Sequence, residues 1–199
     1  ILVLGPLLAR FGKAKVSLPG GCAIGARPVD VHLKALSKLG VNYKIIDGYI
    51  HAKASKGLTG NVIKFSKISV GATENLIIAA SLAKGKTILR NCAIEPEIKD
   101  LTNYLKKMGC NINFIGRRKI AIIGTKDFNS VTHEVIFDRI ELGTYLIAAA
   151  LIGKKVIFLK IKPKIIDTEI KLLKKMGDKM RIEKNKINIL ESGKWKSVK

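Results

Sequence analysis

Apolar residues recur along the chain at two different spacings, and each spacing predicts a type of element. At spacings of three and four they form the segments HLKALSKLG, DLTNYLKKMG and TEIKLLKKMG, which end at Gly40, Gly109 and Gly177. This pattern with a closing glycine is typical of an amphipathic helix with a glycine C-cap. Two short strand-like runs follow each helix, for example 42–46 and 49–52 or 111–115 and 119–123. The pattern therefore predicts three helix-strand-strand segments.

A second helical pattern also occurs three times. It reads LGPLLARFGK from Leu4, GATENLIIAASLAKG from Gly71 and GTYLIAAALIGK from Gly143, and a β-branched run follows each copy. The closing glycines of the first pattern lie 69 and then 68 residues apart, at positions 40, 109 and 177. The chain thus contains nearly three copies of a unit with the order helix, strand, helix, strand, strand. A period this long is not that of the common solenoids and favours a compact α/β body with helices inside and sheets outside.

The position of the domain boundary is limited by the lack of a long linker between the copies. No stretch rich in Ser and Pro separates the copies. Any domain boundary must therefore lie in a short connection between two copies, and we expect it between Ser130 and Arg139. On this basis residues 1–136 and 137–199 are predicted to be separate domains.

Composition excludes a disordered chain. Of 199 residues, 47% are hydrophobic, and a chain of this length can bury most of its apolar surface. The net charge of +22 comes from 37 basic residues, spread along every segment without an aromatic-rich basic motif. This distribution favours solvated faces over a polyanion-binding surface. Nucleic acid is therefore not expected as a partner, whereas small molecules that carry phosphate are.

The number of cysteines and the apolar run at residues 1–9 indicate the cellular compartment. Three cysteines are an odd number and too few for a disulfide framework, so a reducing compartment such as the cytoplasm is expected. The apolar run 1–9 is too short to cross a bilayer and lacks the basic region of a secretory signal. The chain has no initial methionine, and we expect it to be a piece of a longer protein.

The clearest difference between the copies is a loop. From the β-branched run to the closing glycine there are 22 residues in the first copy, against 20 and 19 in the others, and the extra length lies in PGGCAIGAR at 19–27. Three glycines and an alanine leave the Cys22 thiol unshielded, which favours chemistry over packing. Cys92 and Cys110 are expected to be structural.

Two basic residues stand beside helix starts. Arg27 precedes a helix that opens with Pro28 and Asp30, so its guanidinium could bind phosphate and lower the pKa of the neighbouring thiol. Pro28 and Asp30 are also ordinary N-terminal helix residues, and His32 is expected to be a helix-face residue without a partner.

The segment KISVGAT, 67–73, suits a tight entry to a helix that could hold an anion, with Lys67 adding charge. Aligning Gly71 with Gly143 places Lys67 opposite Arg139, so a basic residue is expected before the same helix in both copies. The sequence has no Walker lysine pattern, no metal-ligand spacing of Cys and His and no GxGxxG. Neither a metal nor a nicotinamide cofactor is therefore predicted.

Several stretches together resemble the UDP-N-acetylglucosamine 1-carboxyvinyltransferase family. They are GPLLARFGKAKVSLPGGCAIGARPVDVHLKAL, KISVGATENLIIAASLAKG, EPEIKDL and FDRIELGTYLIAAA, and the segment SLPGGCAIGARPVD is highly specific. The resemblance extends from residue 1 to about residue 190. It implies an inside-out α/β barrel fold of three repeated units per domain, with this chain as the latter two thirds of one domain and the first unit of the other. The related 5-enolpyruvylshikimate-3-phosphate synthase shares this fold but not the cysteine loop.

The resemblance implies a reaction and roles for particular residues. Phosphoenolpyruvate would donate its enolpyruvyl group to the 3′-hydroxyl of UDP-N-acetylglucosamine with release of phosphate, the committed step of peptidoglycan synthesis. Cys22 matches the family's general acid, which also forms a covalent adduct. The other matched positions are Arg27 for phosphate groups, Pro28, Val29, Asp30 and Val31 for the uracil end, Lys67, Ile68, Ser69 and Val70 for the diphosphate and ribose, and Asp138 and Arg139 near the domain crossing, with Gly71 and Glu95 as further candidates.

The chain departs from the family pattern in two respects. The family's early Lys-Asn pair, an arginine, the aspartate base and a late phosphate-binding arginine fall outside it, and Ile94 stands where the family usually has arginine before EPEI. A complementary fragment of the same enzyme could supply the missing groups. The alternative from another class is a basic scaffold or nucleic-acid-binding module built on the same fold.

Overall fold

The computed structural model describes residues 1–20, 29–153, 155–191 and 195–198. Contacts between Cα atoms group the chain into two compact units, Ile1–Glu134 and Val135–Lys199. No helix in the described part of the chain is long and apolar enough to cross a membrane.

The first unit contains two copies of the predicted repeat. Its elements are α1 (Leu4–Phe11), β1 (Lys13–Ser17), α2 (Asp30–Lys38), β2 (Asn42–Ile46), β3 (Tyr49–Lys53), β4 (Val62–Lys64), α3 (Val70–Ala80), β5 (Lys86–Arg90), α4 (Pro96–Lys107), β6 (Asn111–Gly116) and β7 (Lys119–Ile123).

The second unit contains one copy. Its elements are α5 (Arg139–Ile152), β8 (Val156–Leu159), a 3₁₀ turn (Pro163–Ile166), α6 (Asp167–Met176), β9 (Lys179–Glu183) and β10 (Lys186–Glu191).

The three sheets share one strand order, which confirms the repeat. They run β1-β3-β2, β5-β7-β6 and β8-β10-β9, and every neighbouring pair in them is antiparallel. In each copy the last strand lies in the centre and pairs with both others. The second sheet gains β4, which pairs in parallel with β5.

The glycines that close the predicted helices have left-handed backbone conformations. The φ angles are 96° at Gly40, 99° at Gly109 and 115° at Gly177. Residues with a Cβ rarely adopt these angles, whereas glycine does so without steric cost. The chain leaves each helix at this point and turns directly into a hairpin.

One helix begins earlier than the pattern predicts. The α5 helix starts at Arg139 rather than at Gly143, because the Asp138 carboxylate accepts hydrogen bonds from the backbone N–H groups of Ile140 at 2.8 Å and Glu141 at 3.1 Å. This N-cap adds a turn that apolar spacing alone does not indicate.

The core of the first unit lies between its helices and the inner faces of its sheets. Leu4, Leu8, Leu36, Leu76 and Leu89 are all at most 1% exposed. Burying each of these side chains contributes roughly 2 kcal/mol of transfer free energy. The central strand of each sheet turns buried residues inward, so the helices are inside and the sheets outside.

The second unit has its own small core. It is built from α5, α6 and the inner face of the β8-β10-β9 sheet, with Leu146, Ile166 and Ile187 fully buried. Each unit is therefore built from the repeat expected from the sequence, and in the second unit α5 buries Leu142 and Leu146 while Tyr145 and Leu151 are exposed.

Candidate functional site

Three of the predicted site residues cannot be placed. Cys22, Arg27 and Pro28 belong to the segment 21–28, which lies outside the described residues. The other predicted residues are described: those at 29–31 and 67–71 and Glu95 belong to the first unit, and Asp138 and Arg139 belong to the second.

The two remaining cysteines lie in the core. Cys92 is fully buried, and this burial raises the pKa of its thiol to about 11. Cys110 is also buried, and burial raises its pKa as well. At neutral pH both groups are uncharged thiols, which are poor nucleophiles.

The start of α3 is fixed by a network of short hydrogen bonds. The Ser69 side-chain oxygen accepts from the Ala72 N–H at 3.2 Å, which makes Ser69 the N-cap. The Thr73 hydroxyl donates to the Ser69 carbonyl at 2.7 Å and accepts from the Ala93 N–H at 3.0 Å. Thr73 is fully buried, so this network ties the helix start to the turn before α4.

The helix start presents unpaired donors. Within the described part of the chain, the N–H groups of Val70 and Gly71 have no hydrogen-bond partner. The first N–H groups of a helix carry partial positive charge and favour an anion. Lys67 stands three residues before the helix and adds a full positive charge. This arrangement can bind phosphate oxygens.

Two of the predicted segments meet at one cleft of about 450 Å³. The first segment contributes from the residues before α2 and from its first turn, and the second contributes from the residues before α3. The lining residues are Ile1, Pro19, Val29, Val31, His32, Lys67, Ile68 and Ser69. The structure thus brings together side chains that are separated by nearly forty residues of sequence.

The charges near the cleft have opposite signs. Asp30 begins α2 and forms an ion pair with Lys34 at 3.3 Å. The hydrogen bond and charge of Lys34 hold the pKa of the Asp30 carboxyl below its usual range, and the Lys67 ammonium contributes to the same shift. Lys67 therefore lies close enough to the start of α2 to act on it electrostatically.

His32 is a residue that sequence reasoning underrated. It was expected to have no partner, but its Nδ1 atom lies 3.1 Å from Nδ2 of Asn75. Burial lowers the pKa of the imidazole. No local signal could have revealed this contact, because the two residues are 43 positions apart.

The further candidates fall at different places. Gly71 lies in the first turn of α3, where a Cβ would come within 3.5 Å of Cε1 of His32. Glu95 is the N-cap residue of α4, and its Oε2 accepts from the Ile94 N–H at 2.7 Å. Glu95 does not line the cleft.

Asp138 and Arg139 belong to the second unit, where they form the N-cap and first residue of α5. The expected equivalence of Lys67 and Arg139 is wrong in one respect. Lys67 precedes its helix, whereas Arg139 lies inside one, because the Asp138 cap starts α5 early.

A larger cleft of about 870 Å³ lies in the first unit between α1 and the first sheet. Its lining combines apolar side chains such as Leu7 and Ala14 with polar ones such as Lys15, Asn42 and His51, and none of the predicted site residues is part of it. The smaller cleft is the candidate site, because the predicted residues Val29, Val31, Lys67, Ile68 and Ser69 line it.

The sequence matches a known family along nearly its whole length. The family described as EPSP synthase (3-phosphoshikimate 1-carboxyvinyltransferase) matches residues 1–198. Among curated proteins, the UDP-N-acetylglucosamine 1-carboxyvinyltransferase of Pelagibacter ubique is 65% identical over 198 residues, covering 100% of this chain and 48% of the relative. The enzyme of the same name from Coxiella burnetii is 46% identical over 194 residues, covering 98% and 45%. The chain spans about half the length of these relatives.

Solved structures share the fold. The enolpyruvyl transferase NikO from Streptomyces tendae matches with a TM-score of 0.77 at 22% identity, covering 94% of this chain and 46% of that one. An EPSP synthase from Acinetobacter baumannii matches with a TM-score of 0.66 at 19% identity, covering 95% and 45%. At these identities the likeness concerns the fold alone, and it confirms the fold expected from the repeats.

Proposed function

The chain belongs to the EPSP synthase family, and from this premise we propose that its protein transfers the enolpyruvyl group of phosphoenolpyruvate to the 3′-hydroxyl of UDP-N-acetylglucosamine. Phosphate is released, and the product enters peptidoglycan synthesis. Two observations favour this reaction over the other reactions of the family. The relatives that are 65% and 46% identical to the chain over the aligned residues carry the name of this transferase, and the chain contains the cysteine loop SLPGGCAIGARPVD.

The structural observation that supports the proposal is the cleft where the two segments proposed to bind the nucleotide meet. Val29 and Val31 reach it from the start of α2, and Lys67 and Ser69 reach it from the start of α3. A nucleoside diphosphate needs an apolar surface for its base and positive charge for its phosphates, and this cleft offers both.

Each segment has a proposed role. The uracil end would lie against Pro28, Val29, Asp30 and Val31. The diphosphate and ribose would lie at the segment 67–70, with the α3 N–H groups and the Lys67 ammonium binding phosphate oxygens. Arg27 would add a second cation. These contacts bind and orient the acceptor sugar but do not themselves break a bond.

Cys22 is proposed to supply the proton for the chemical step. The thiol proton passes to the methylene carbon of phosphoenolpyruvate, while the sugar 3′-oxygen bonds to the neighbouring carbon and gives up its own proton to a base. Phosphate then leaves, and loss of a proton from the new methyl group restores the vinyl group. A thiol suits this step because its pKa lies near the working pH. The base is a family residue that this chain does not match.

The remaining proposals concern organisation. Residues 1–136 would be the latter part of one enolpyruvate transferase domain and 137–199 the first repeat of the second. The division of the contacts between Glu134 and Val135 supports this arrangement. We propose a cytoplasmic protein, and no metal or organic cofactor takes part in the proposed reaction.

Binding of UDP-N-acetylglucosamine, measured by titration calorimetry, tests the nucleotide site. We expect saturable binding that Lys67→Met weakens about tenfold, because a hydrogen bond to a charged group contributes roughly 1.5 kcal/mol. Lys106→Met is the matched control, since Lys106 is exposed on α4 away from the cleft. Equal affinity of the two variants would refute the assigned site.

The alternative, a basic nucleic-acid-binding module, is tested on the same preparation. The net charge of +22 is the property that favours it. Retention of unrelated RNA, with affinity that falls steeply as salt rises, together with no binding of the nucleotide sugar, would replace the transferase proposal.

A further inference from the structure

Asn75 is a fully buried polar residue on α3 that contacts two other elements. Its Oδ1 accepts a hydrogen bond from the Gly5 N–H of α1 at 2.7 Å. Its Nδ2 donates to the Ile1 carbonyl at 3.2 Å and lies 3.1 Å from Nδ1 of His32 on α2. One side chain thus joins α1, α2 and α3 beside the cleft.

The partners of Asn75 determine which way its amide points. A backbone N–H can only donate and a carbonyl can only accept, so the oxygen must face Gly5 and the NH₂ group must face Ile1. The second hydrogen of this NH₂ group then points at Nδ1 of His32. Nδ1 must therefore accept, and a neutral ring with a bare Nδ1 carries its hydrogen on Nε2.

The other edge of the ring faces the cleft. His32 lines the cleft, and Nε2 has no hydrogen-bond partner within the described part of the chain. A Cβ at Gly71 would lie 3.8 Å from Nε2, so this nitrogen stands beside the first turn of α3, where the unpaired N–H groups are.

We propose that Asn75 is a positioning residue, which holds His32 as a neutral imidazole whose Nε2–H donor is presented to the cleft. Protonation at Nδ1 would require the Asn75 amide to turn round, and that rotation would break the bonds to Gly5 and Ile1. The consequence rests on the proposed function: the Nε2–H group is a third donor for an oxygen of the nucleotide, beside the α3 N–H groups and the Lys67 ammonium.

Other charges also act on the ring. Burial disfavours the cationic imidazole, whereas Asp30 on the same helix favours it. Lys67 lines the same cleft from the start of α3 and repels a positive charge there. The Asn75 contact therefore adds to a balance that already favours the neutral ring.

Nitrogen NMR of the imidazole rings in the ligand-free chain tests the proposal directly. The chain has three histidines, and His32→Gln identifies the signal of the first. We expect a bare Nδ1 and a protonated Nε2 at neutral pH for His32. A hydrogen on Nδ1 in the unaltered protein would overturn the proposal without any variant.

A charge-matched pair of variants tests the role of Asn75. In Asn75→Asp the carboxylate can only accept, so it still pairs with Gly5 but draws a proton onto Nδ1. The His32 pKa is then expected to rise by about one to two units. Asn113→Asp makes the same change in an exposed residue of β6 and should leave the ring unaltered. Equal His32 titration in both variants would refute the positioning role.

A binding measurement separates this proposal from the proposed function. The affinity of the unaltered chain for UDP should show no step from His32 titration near neutral pH, and Asn75→Asp should introduce one at the raised pKa. If the NMR results hold but UDP does not bind, the positioning stands and the proposed function fails. If UDP binds but the His32 ring carries its hydrogen on Nδ1, the proposed function stands and the positioning role of Asn75 fails.

Discussion

Gly5 allows α1 and α3 to approach more closely than any other residue would permit. A Cβ at this position would lie 2.2 Å from Oδ1 of Asn75 and 2.5 Å from the Asn75 backbone carbonyl. Both oxygens belong to a fully buried residue, so neither can move aside cheaply. Gly5→Ala must therefore push the two helices apart and lengthen the hydrogen bond from the Gly5 N–H to Asn75.

The loss in the free energy of unfolding follows from three contributions. Overpacking in a tight core costs typically 1–3 kcal/mol. A buried acceptor that loses its donor costs about 1–3 kcal/mol. Alanine is the better helix former by up to about 1 kcal/mol, and this gain is reduced because Gly5 lies in the first turn of α1. We expect Gly5→Ala to destabilise the first unit by about 3 kcal/mol.

Urea denaturation followed by far-UV circular dichroism measures this effect, with an expected decrease in midpoint on the order of 1–2 M. The single tryptophan, Trp195, lies in the second unit, so its fluorescence follows that unit separately. Gly143→Ala is the control, because a Cβ at this helical glycine meets nothing within 4 Å. It should be neutral or stabilise the second unit by up to about 1 kcal/mol.

The result that would refute the reasoning is a Gly5→Ala protein whose transition equals that of the unaltered chain. The close approach of the helices would then not be required for packing. If Gly5→Ala loses stability but the His32 tautomer is unchanged, α1 is displaced while Asn75 keeps its contact with the ring.

Three further predictions concern the thiols and the reaction. Limiting iodoacetamide at neutral pH should label Cys22 first, as peptide mapping would show, and preferential labelling of Cys92 or Cys110 would contradict this. Because burial raises the Cys92 pKa from 9.0 to about 11, the unfolded thiol ionises first as pH rises; folding stability should fall across this interval by roughly 3 kcal/mol. In Cys92→Ala the alkaline loss of stability should be smaller by this amount, because Cys110, whose pKa burial also raises, keeps its own contribution; an equal loss in both proteins would refute the assignment. The 199-residue chain alone should release no phosphate from both substrates, since each missing positioned group costs about two orders of magnitude, and near-family turnover would disprove the catalytic assignment.

The repeat could be predicted from the sequence because its signals are local. Amphipathic spacing and a closing glycine act within a few residues, and Gly40, Gly109 and Gly177 all have the expected conformation. The hairpins that follow contain two strands joined by a short turn, which is also a local pattern. The strand order then follows from the repeat, since three copies of one unit fold alike.

The contacts that the sequence could not reveal are long-range or depend on a single side chain. The early start of α5 follows from Asp138, whose carboxylate binds two backbone N–H groups. The contact of His32 with Asn75 depends on how α2 and α3 pack, which no local pattern encodes. The two segments of the cleft could be associated only through their resemblance to a family.

Equivalent helices in the two units differ in the chemistry of their first turn, and we propose that this difference favours anion binding at α3 over α5. The Ser69 cap of α3 is neutral and accepts from one backbone N–H, while N–H groups beside it stay unpaired in the described part of the chain. The Asp138 cap of α5 is anionic and occupies two N–H groups. A carboxylate at this position repels phosphate and already neutralises the positive end of the helix. On this proposal, the identity of the cap residue separates a binding copy of the repeat from a structural one within the same fold.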